Sequence, residues 1–168
     1  MSETTLQVQE DGKPLDFTLA DLMRHHGFGY PGGIAHGFKV MERALPLLAG
    51  GGRPERRTIA IRTPFRGPGG RDAFELVTRA FTDGRYHVEA GLAQPERGET
   101  LMNYVFLLTC GGTEVRLRIR DGIVRDEFII LGRKSDRTPD EELRLVDLKQ
   151  DMADRLLVLP ATEIYDPF

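Results

Sequence analysis

The spacing of apolar residues changes along the chain, and this change is the strongest constraint on its fold. In residues 34–48, 73–81 and 145–159 apolar side chains recur every three or four positions, which is typical of amphipathic helices. Residues 103–119 instead contain a continuous apolar run, a Gly-Gly turn, and then strict alternation of apolar residues with arginine, which is typical of paired strands. The sequence therefore predicts a single α+β domain in which a mainly antiparallel sheet packs against helices.

The length of the chain sets the expected domain organisation. Its 168 residues suffice for one domain with its own core. We expect a polar N-terminal arm over residues 1–17, the folded domain over residues 18–159, and a C-terminal tail over residues 160–168. Two short β-rich runs, residues 58–63 and 128–131, are predicted to be strands, the second of them completing an antiparallel meander.

Composition excludes several classes of function. A formal net charge of −3 and an isoelectric point near 5.8 give no basic surface for a nucleic acid partner. Cys110 is the only cysteine, so an internal disulfide and a cysteine-based zinc site are both excluded. Residues 2–11 are polar and acidic, unlike a signal peptide, and no apolar run approaches the roughly 20 residues that cross a bilayer. We expect a cytoplasmic protein with no membrane partner.

A glycine- and histidine-rich stretch is the first candidate site. Residues 22–37 contain five glycines and three of the four histidines, which are His25, His26 and His36. Neutral imidazoles bind zinc, copper, iron or nickel, but ordinary solvated histidines give the same pattern. No cofactor or metal is favoured; a divalent metal, if one is bound, is expected on His26 and His36.

A second glycine-rich segment lies just ahead of a predicted helix and is the second candidate site. It contains Arg66, Gly69, Gly70 and Arg71 and leads directly into Asp72. The free N–H groups and the positive end of a helix attract an anion, and arginine adds bidentate hydrogen bonds. These residues are therefore predicted to bind a small anionic ligand, although a tight turn with solvated arginines is also consistent with them.

Together the two segments resemble a known family. The chain has His26-Gly27, then Pro31-Gly32, a helix and a strand, and finally Asp72-Ala73 at the start of another helix. This order over roughly residues 18–155 resembles the FmdE-like domain, which is named after the E subunit of formylmethanofuran dehydrogenase. The resemblance implies that the His26 loop and the Asp72 loop line one pocket, and it suggests an ancestral setting in one-carbon (formyl) metabolism.

The chain departs from the family pattern where that family has its cysteine ligands. Tyr30 stands in the position of the first cysteine, Gly69 in that of the second, and Phe28 in that of a second histidine. A phenol is a weak metal ligand at neutral pH because it loses its proton only near pH 10. The resemblance therefore carries over as His26 and Asp72, with Tyr30 beside them, but without the family's thiolate metal site.

Three functions are consistent with these residues. The first, which we favour because it requires only the two loops, is binding of a small anionic metabolite in a pocket of histidine, tyrosine, arginine and aspartate. The second is an enzyme in which His26, Tyr30 and Asp72 perform acid/base chemistry, with or without a histidine-bound metal. The third is a non-catalytic subunit of a larger complex. The long apolar stripe of the last helix also predicts a homodimer.

Overall fold

The fold consists of five α-helices and seven strands. The computed structural model describes residues 3–168, and short 3₁₀ turns join several of its elements. In chain order the elements are β1 (Leu6–Glu10), β2 (Lys13–Phe17), α1 (Leu19–His26), α2 (Pro31–Leu48), β3 (Ala60–Thr63), α3 (Pro68–Thr78), β4 (Tyr86–Val88), β5 (Val105–Cys110), β6 (Thr113–Ile119), α4 (Asp126–Arg133), α5 (Pro139–Leu157) and β7 (Tyr165–Pro167).

The main sheet has five strands in the order β4-β3-β5-β6-β7. Every neighbouring pair is antiparallel except β3 and β4, which are parallel. The predicted Gly-Gly hairpin joins β5 to β6, so that Phe106 lies opposite Leu117. Strands β1 and β2 form a separate antiparallel hairpin. The predicted α+β class is confirmed.

One face of the main sheet is covered by helices, and the core lies between the two layers. The alternation in β6 buries Val115, Leu117 and Ile119 and leaves the intervening arginines exposed, as predicted. Helix α2 is the central helix, because it contacts the sheet as well as α3 and α5. Its buried face, represented by Ile34 and Met41, therefore packs in the middle of the domain.

Both terminal segments contribute to this domain, although the sequence analysis set them apart from it. Leu6 and Val8 of β1 are buried in the core, and β1 hydrogen-bonds from Gln9 to the backbone of Pro54. At the other end β7 completes the edge of the main sheet, and Tyr165 is fully buried. Alternating apolar residues in such short segments are weak signals, and tertiary packing decides whether they are buried.

The prediction of a strand over residues 128–131 is wrong. This run lies inside α4, which begins at Asp126 and ends at Arg133. A run of four apolar residues does not distinguish helix from strand by periodicity. Its flanks favour the helix, because Asp126 and Glu127 lie in the first turn and Arg133 in the last. Acidic side chains at the start of a helix and basic ones at its end interact favourably with the helix dipole.

Over residues 3–168, no helix combines the length and the apolar composition that would cross a bilayer.

Candidate functional site

A cavity lies between the starts of α2 and α3 on one side and α4 and α5 on the other. Its volume is about 420 Å³. Its lining comes from five separate parts of the chain: Tyr30, Gly32, Gly33 and His36; Pro64, Phe65, Arg66, Gly67, Pro68 and Gly69; Glu99, Thr100, Asn103 and Tyr104; Phe128, Ile129, Gly132, Arg133 and Arg137; and Leu145, Lys149 and Met152.

Helices α2 and α3 begin at this cavity, and both begin earlier than the sequence predicted. Pro31 is the first residue of α2 and Pro68 the first of α3, a position that suits proline because its missing N–H has no partner there. The glycines that follow are therefore helical instead of forming loops. Neither helix has a side-chain cap, so the first-turn N–H groups lie at the cavity without a capping partner.

The two helix starts pack backbone against backbone, and only glycine permits this contact. A Cβ atom on Gly69 would lie 2.7 Å from the carbonyl oxygen of Tyr30 and 2.9 Å from the amide nitrogen of Ile34. A Cβ atom on Gly33 would lie 3.2 Å from the Cα of Gly69. Gly69 and Gly70, which the sequence suggested as ligand-binding residues, are buried by this packing, although Gly69 also borders the cavity.

The charged lining of the cavity is mostly basic. Four cationic side chains contribute to it but only one carboxylate, that of Glu99. Glu99 accepts a hydrogen bond from Arg133 at 2.9 Å. Arg137 is paired with Glu142 at 2.9 Å, outside the lining. These two arginines are therefore already neutralised by protein carboxylates.

The other two cations, Arg66 and Lys149, form no ion pair with any residue between 3 and 168. Arg66 is exposed beside the start of α3, and Lys149 is half-buried on α5. The Lys149 ammonium lies 4.5 Å from the centre of the Tyr30 ring, which is a cation–π contact. A ring face leaves the positive charge uncompensated, so the cavity keeps two cations for which the described chain supplies no anion.

His36 borders the cavity but belongs to the core. It is 1% exposed, with Nδ1 2.7 Å from the Tyr165 hydroxyl and Nε2 2.9 Å from the Met152 sulfur. Sulfur can only accept, so Nε2 carries the proton and Nδ1 accepts from Tyr165. Burial lowers the pKa of His36 to about 3. The sequence suggested His36 as a ligand-binding or metal-binding residue, but in the structure both of its ring nitrogens contact protein atoms.

His26 and Asp72 form the closest polar contact between the two segments that the sequence singled out. His26 Nδ1 lies 2.6 Å from Asp72 Oδ2, and the other carboxylate oxygen accepts from Arg71 Nε at 3.0 Å. Partial burial acts to raise the pKa of Asp72, but the hydrogen bonds from His26 and Arg71 outweigh it and lower that pKa below its usual value. Asp72 is therefore an anion that orients the His26 ring.

Comparisons with known proteins were made for the whole chain. No protein-family model matches it, and no curated protein matches it either. Within residues 3–168 there is also no group of three or more histidine, cysteine, aspartate or glutamate side chains placed to hold a metal ion.

The structure divides the predicted pocket into two sites. His26 and Asp72 meet, as expected from the two loops, but neither they nor Arg71 line the cavity. Tyr30 and Arg66 do line it. The His26 and Tyr30 ring centres are 5.6 Å apart, so Tyr30 lies between the two sites.

His25 was also predicted to bind a ligand, and the structure places it elsewhere. It is exposed on the last turn of α1 and lines no part of the cavity. At that end of a helix a basic side chain has a structural role, because it faces the negative end of the helix dipole.

Sequence reasoning missed several lining residues, among them Tyr104 and Lys149. In the sequence, Tyr104 belongs to an apolar run and Lys149 to the polar face of the last helix. No sequence signal connects them, because they lie 45 positions apart and line the same cavity only through tertiary packing, in which α5 packs onto α2.

Proposed function

We propose that the chain binds a small organic anion in the cavity between α2, α3, α4 and α5. The observation that carries this proposal is the pair Arg66 and Lys149, which line the cavity without a carboxylate partner in a chain whose net charge is −3. Excess acidic residues are available elsewhere on the surface, yet the described chain places none of them against these two cations. An anionic ligand is the partner that such a lining selects.

The size and donors of the cavity support the same ligand class. A volume of about 420 Å³ lies within the range of roughly 300 to 1,000 Å³ typical of small-molecule sites. Gly32, Gly33 and Gly69 bring the uncapped first turns of α2 and α3 to its wall. Helix starts of this kind hold carboxylates and phosphates through their N–H groups. The cavity thus combines mobile cations with fixed donors.

The wider setting of this binding follows from the resemblance drawn from the sequence. We propose that the chain is an FmdE-like protein with an ancestral link to one-carbon metabolism, and the meeting of His26 with Asp72 supports that proposal. A homodimer through α5 is part of the same proposal. The apolar stripe from which the sequence predicted a dimer is buried within the domain. The support comes instead from Leu143 and Val146 of α5, which are 66% and 60% exposed.

Replacing Arg66 or Lys149 with alanine is expected to weaken anion binding about tenfold. Each side chain supplies one charge-assisted contact, which contributes on the order of 1.5 kcal/mol. Binding of phosphate, succinate and benzoate can be measured by thermal shift at constant ionic strength, because a ligand that binds only the folded state raises the melting temperature. The shift should shrink as sodium chloride is added.

Arg116→Ala and Lys13→Ala are the matched controls for this experiment. Both side chains are exposed and lie outside the cavity, so their removal should leave the affinity unchanged. If all four variants bind the same anion as tightly as the wild type, the anion lies elsewhere and the proposal fails.

A second candidate function is acid/base catalysis at His26. With Asp72 accepting from Nδ1–H, the neutral ring keeps a lone pair on Nε2 that can remove a proton from water. The arrangement of carboxylate and imidazole is the specific observation that favours it. It ranks second because neither side chain lines the cavity.

Hydrolysis of p-nitrophenyl acetate tests this second function. The wild-type protein should exceed His26→Ala by about 100-fold, the lower end of the range for general base catalysis. Asp72→Asn should lower the rate as well, because it replaces the carboxylate with a neutral amide, which can accept from or donate to Nδ1 and so no longer fixes the proton there. His87→Ala, which removes an exposed histidine of β4, is the control. Equal rates for the wild type and His26→Ala would contradict the catalytic role.

A further inference from the structure

Much of the rest of the cavity lining is apolar, and several of these residues are aromatic. Phe65 and Tyr104 pack with their ring centres 5.2 Å apart, and both line the cavity. Phe128, Ile129 and Met152 contribute further apolar surface. A small inorganic ion would leave this surface against water, whereas an apolar skeleton would cover it. The lining therefore favours a ligand that has a negatively charged end and an apolar end.

The hydroxyl of Tyr104 gives this apolar region one specific polar contact. Tyr104 is 4% exposed, and its ring packs 4.7 Å from that of His36. Its hydroxyl makes no hydrogen bond to any residue of the described chain, and Tyr104 lines the cavity, where a ligand can reach it. Burial raises the pKa of Tyr104, so the group keeps its proton and can donate. An oxygen atom of a ligand would satisfy it.

We infer that the ligand is an aromatic carboxylate, an inference that rests on the proposed anion-binding function. Its ring lies against Phe65 and Tyr104, where flat aromatic surfaces pack well. Its carboxylate meets Arg66 and Lys149, and one of its oxygen atoms accepts from the Tyr104 hydroxyl. A single negative charge suits a cavity with an apolar wall, because removing a doubly charged phosphate from water would be more costly.

Calorimetric titration of the full-length protein with 2-naphthoate tests this inference. Two matched probes separate its parts, namely 2-naphthamide, which has the ring without the charge, and acetate, which has the charge without the ring. We expect 2-naphthoate to bind at least tenfold more tightly than either probe. Because the ring and the charge are then both required, the ligand class is supported.

The other outcomes distinguish the ligand class from the function on which it rests. If phosphate, succinate or acetate binds as tightly as 2-naphthoate, the aromatic class is overturned while anion binding stands. If 2-naphthamide binds as tightly as 2-naphthoate, the negative charge is irrelevant and the proposed function falls. If none of these compounds binds, both are overturned.

Tyr104→Phe tests the hydroxyl contact without removing the ring. The variant should bind 2-naphthoate five- to tenfold more weakly while its melting temperature without ligand does not fall. Tyr86→Phe is the matched control, because Tyr86 is also a buried tyrosine whose hydroxyl has no partner among the described residues, yet it lies outside the cavity. Equal affinity in the two variants would overturn the role of Tyr104.

Discussion

Replacing Gly69 with alanine is expected to lower the free energy of unfolding by about 3 kcal/mol, the upper part of the usual range for overpacking. The new methyl group would lie 2.7 Å from the Tyr30 carbonyl oxygen and 2.9 Å from the Ile34 amide nitrogen. Both are backbone atoms, so no side chain can rotate away and the start of α3 must move from α2. For a domain of this size the melting temperature should fall by about 10 °C.

Gly132→Ala is the matched control for Gly69→Ala. Gly132 is also helical, but a Cβ atom there would meet nothing within 4 Å. Alanine should therefore raise the stability by roughly 0.5–1 kcal/mol, since it loses less backbone entropy on folding than glycine. Urea unfolding should show that the free energy of unfolding falls in Gly69→Ala and rises in Gly132→Ala. A neutral effect of Gly69→Ala would show that α2 and α3 can separate without cost.

Acidification from pH 7 to pH 5 is expected to destabilise the fold by about 2 kcal/mol through His36 alone. The unfolded chain takes up a proton on this imidazole near pH 6.5, whereas burial lowers its pKa in the fold to about 3. Between these two values the unfolded state binds more protons, so stability falls as the pH falls. The loss approaches 1.4 kcal/mol for each pH unit in that interval.

His36→Gln should remove this pH dependence. Its amide can still accept from Tyr165 but does not titrate, so the variant should start less stable than wild type at pH 7 and lose about 2 kcal/mol less between pH 7 and pH 5. Val40→Ala removes buried apolar atoms from the same helix and keeps the imidazole. Its free energy of unfolding should therefore change with pH as much as that of the wild type. If plots of the free energy of unfolding against pH are parallel for the wild type and His36→Gln, His36 is not the titrating group.

Local signals in the sequence were sufficient for much of the fold. Two capping boxes whose residues lie three positions apart in the sequence, Thr18 with Asp21 and Thr138 with Glu141, are formed. The Gly-Gly hairpin and the alternation of β6 depend on adjacent residues and are also correct. These features were predictable because the residues that decide them lie within a few positions of each other.

The site was less predictable because packing between distant segments determines it. Asp72 was correctly expected beside His26, since the family resemblance placed their loops together. The cavity was not foreseen, because Arg66, Tyr104 and Lys149 carry no shared motif. The surroundings of His36 were not predictable either, because sequence does not show that its ring nitrogens face Tyr165 and Met152. Burial can turn a candidate ligand into a core residue, and only tertiary structure reveals it.

The two walls of the cavity differ in how readily they can separate. The α2–α3 wall is held by direct backbone contact at Gly33 and Gly69. Helix α4 has no fully buried residue. Segments with few buried contacts open at the lowest free energy, so the α4 side is the natural path for a molecule to enter and leave.

Two ion pairs hold α4 and its N-terminal flank to α5. They join Glu127 to Arg144 and Arg125 to Asp151, each at 2.7 Å. If the proposed anion binds in the cavity, we expect its residence time to depend on these exposed pairs and on the salt concentration that screens them, although none of the four side chains lines the cavity.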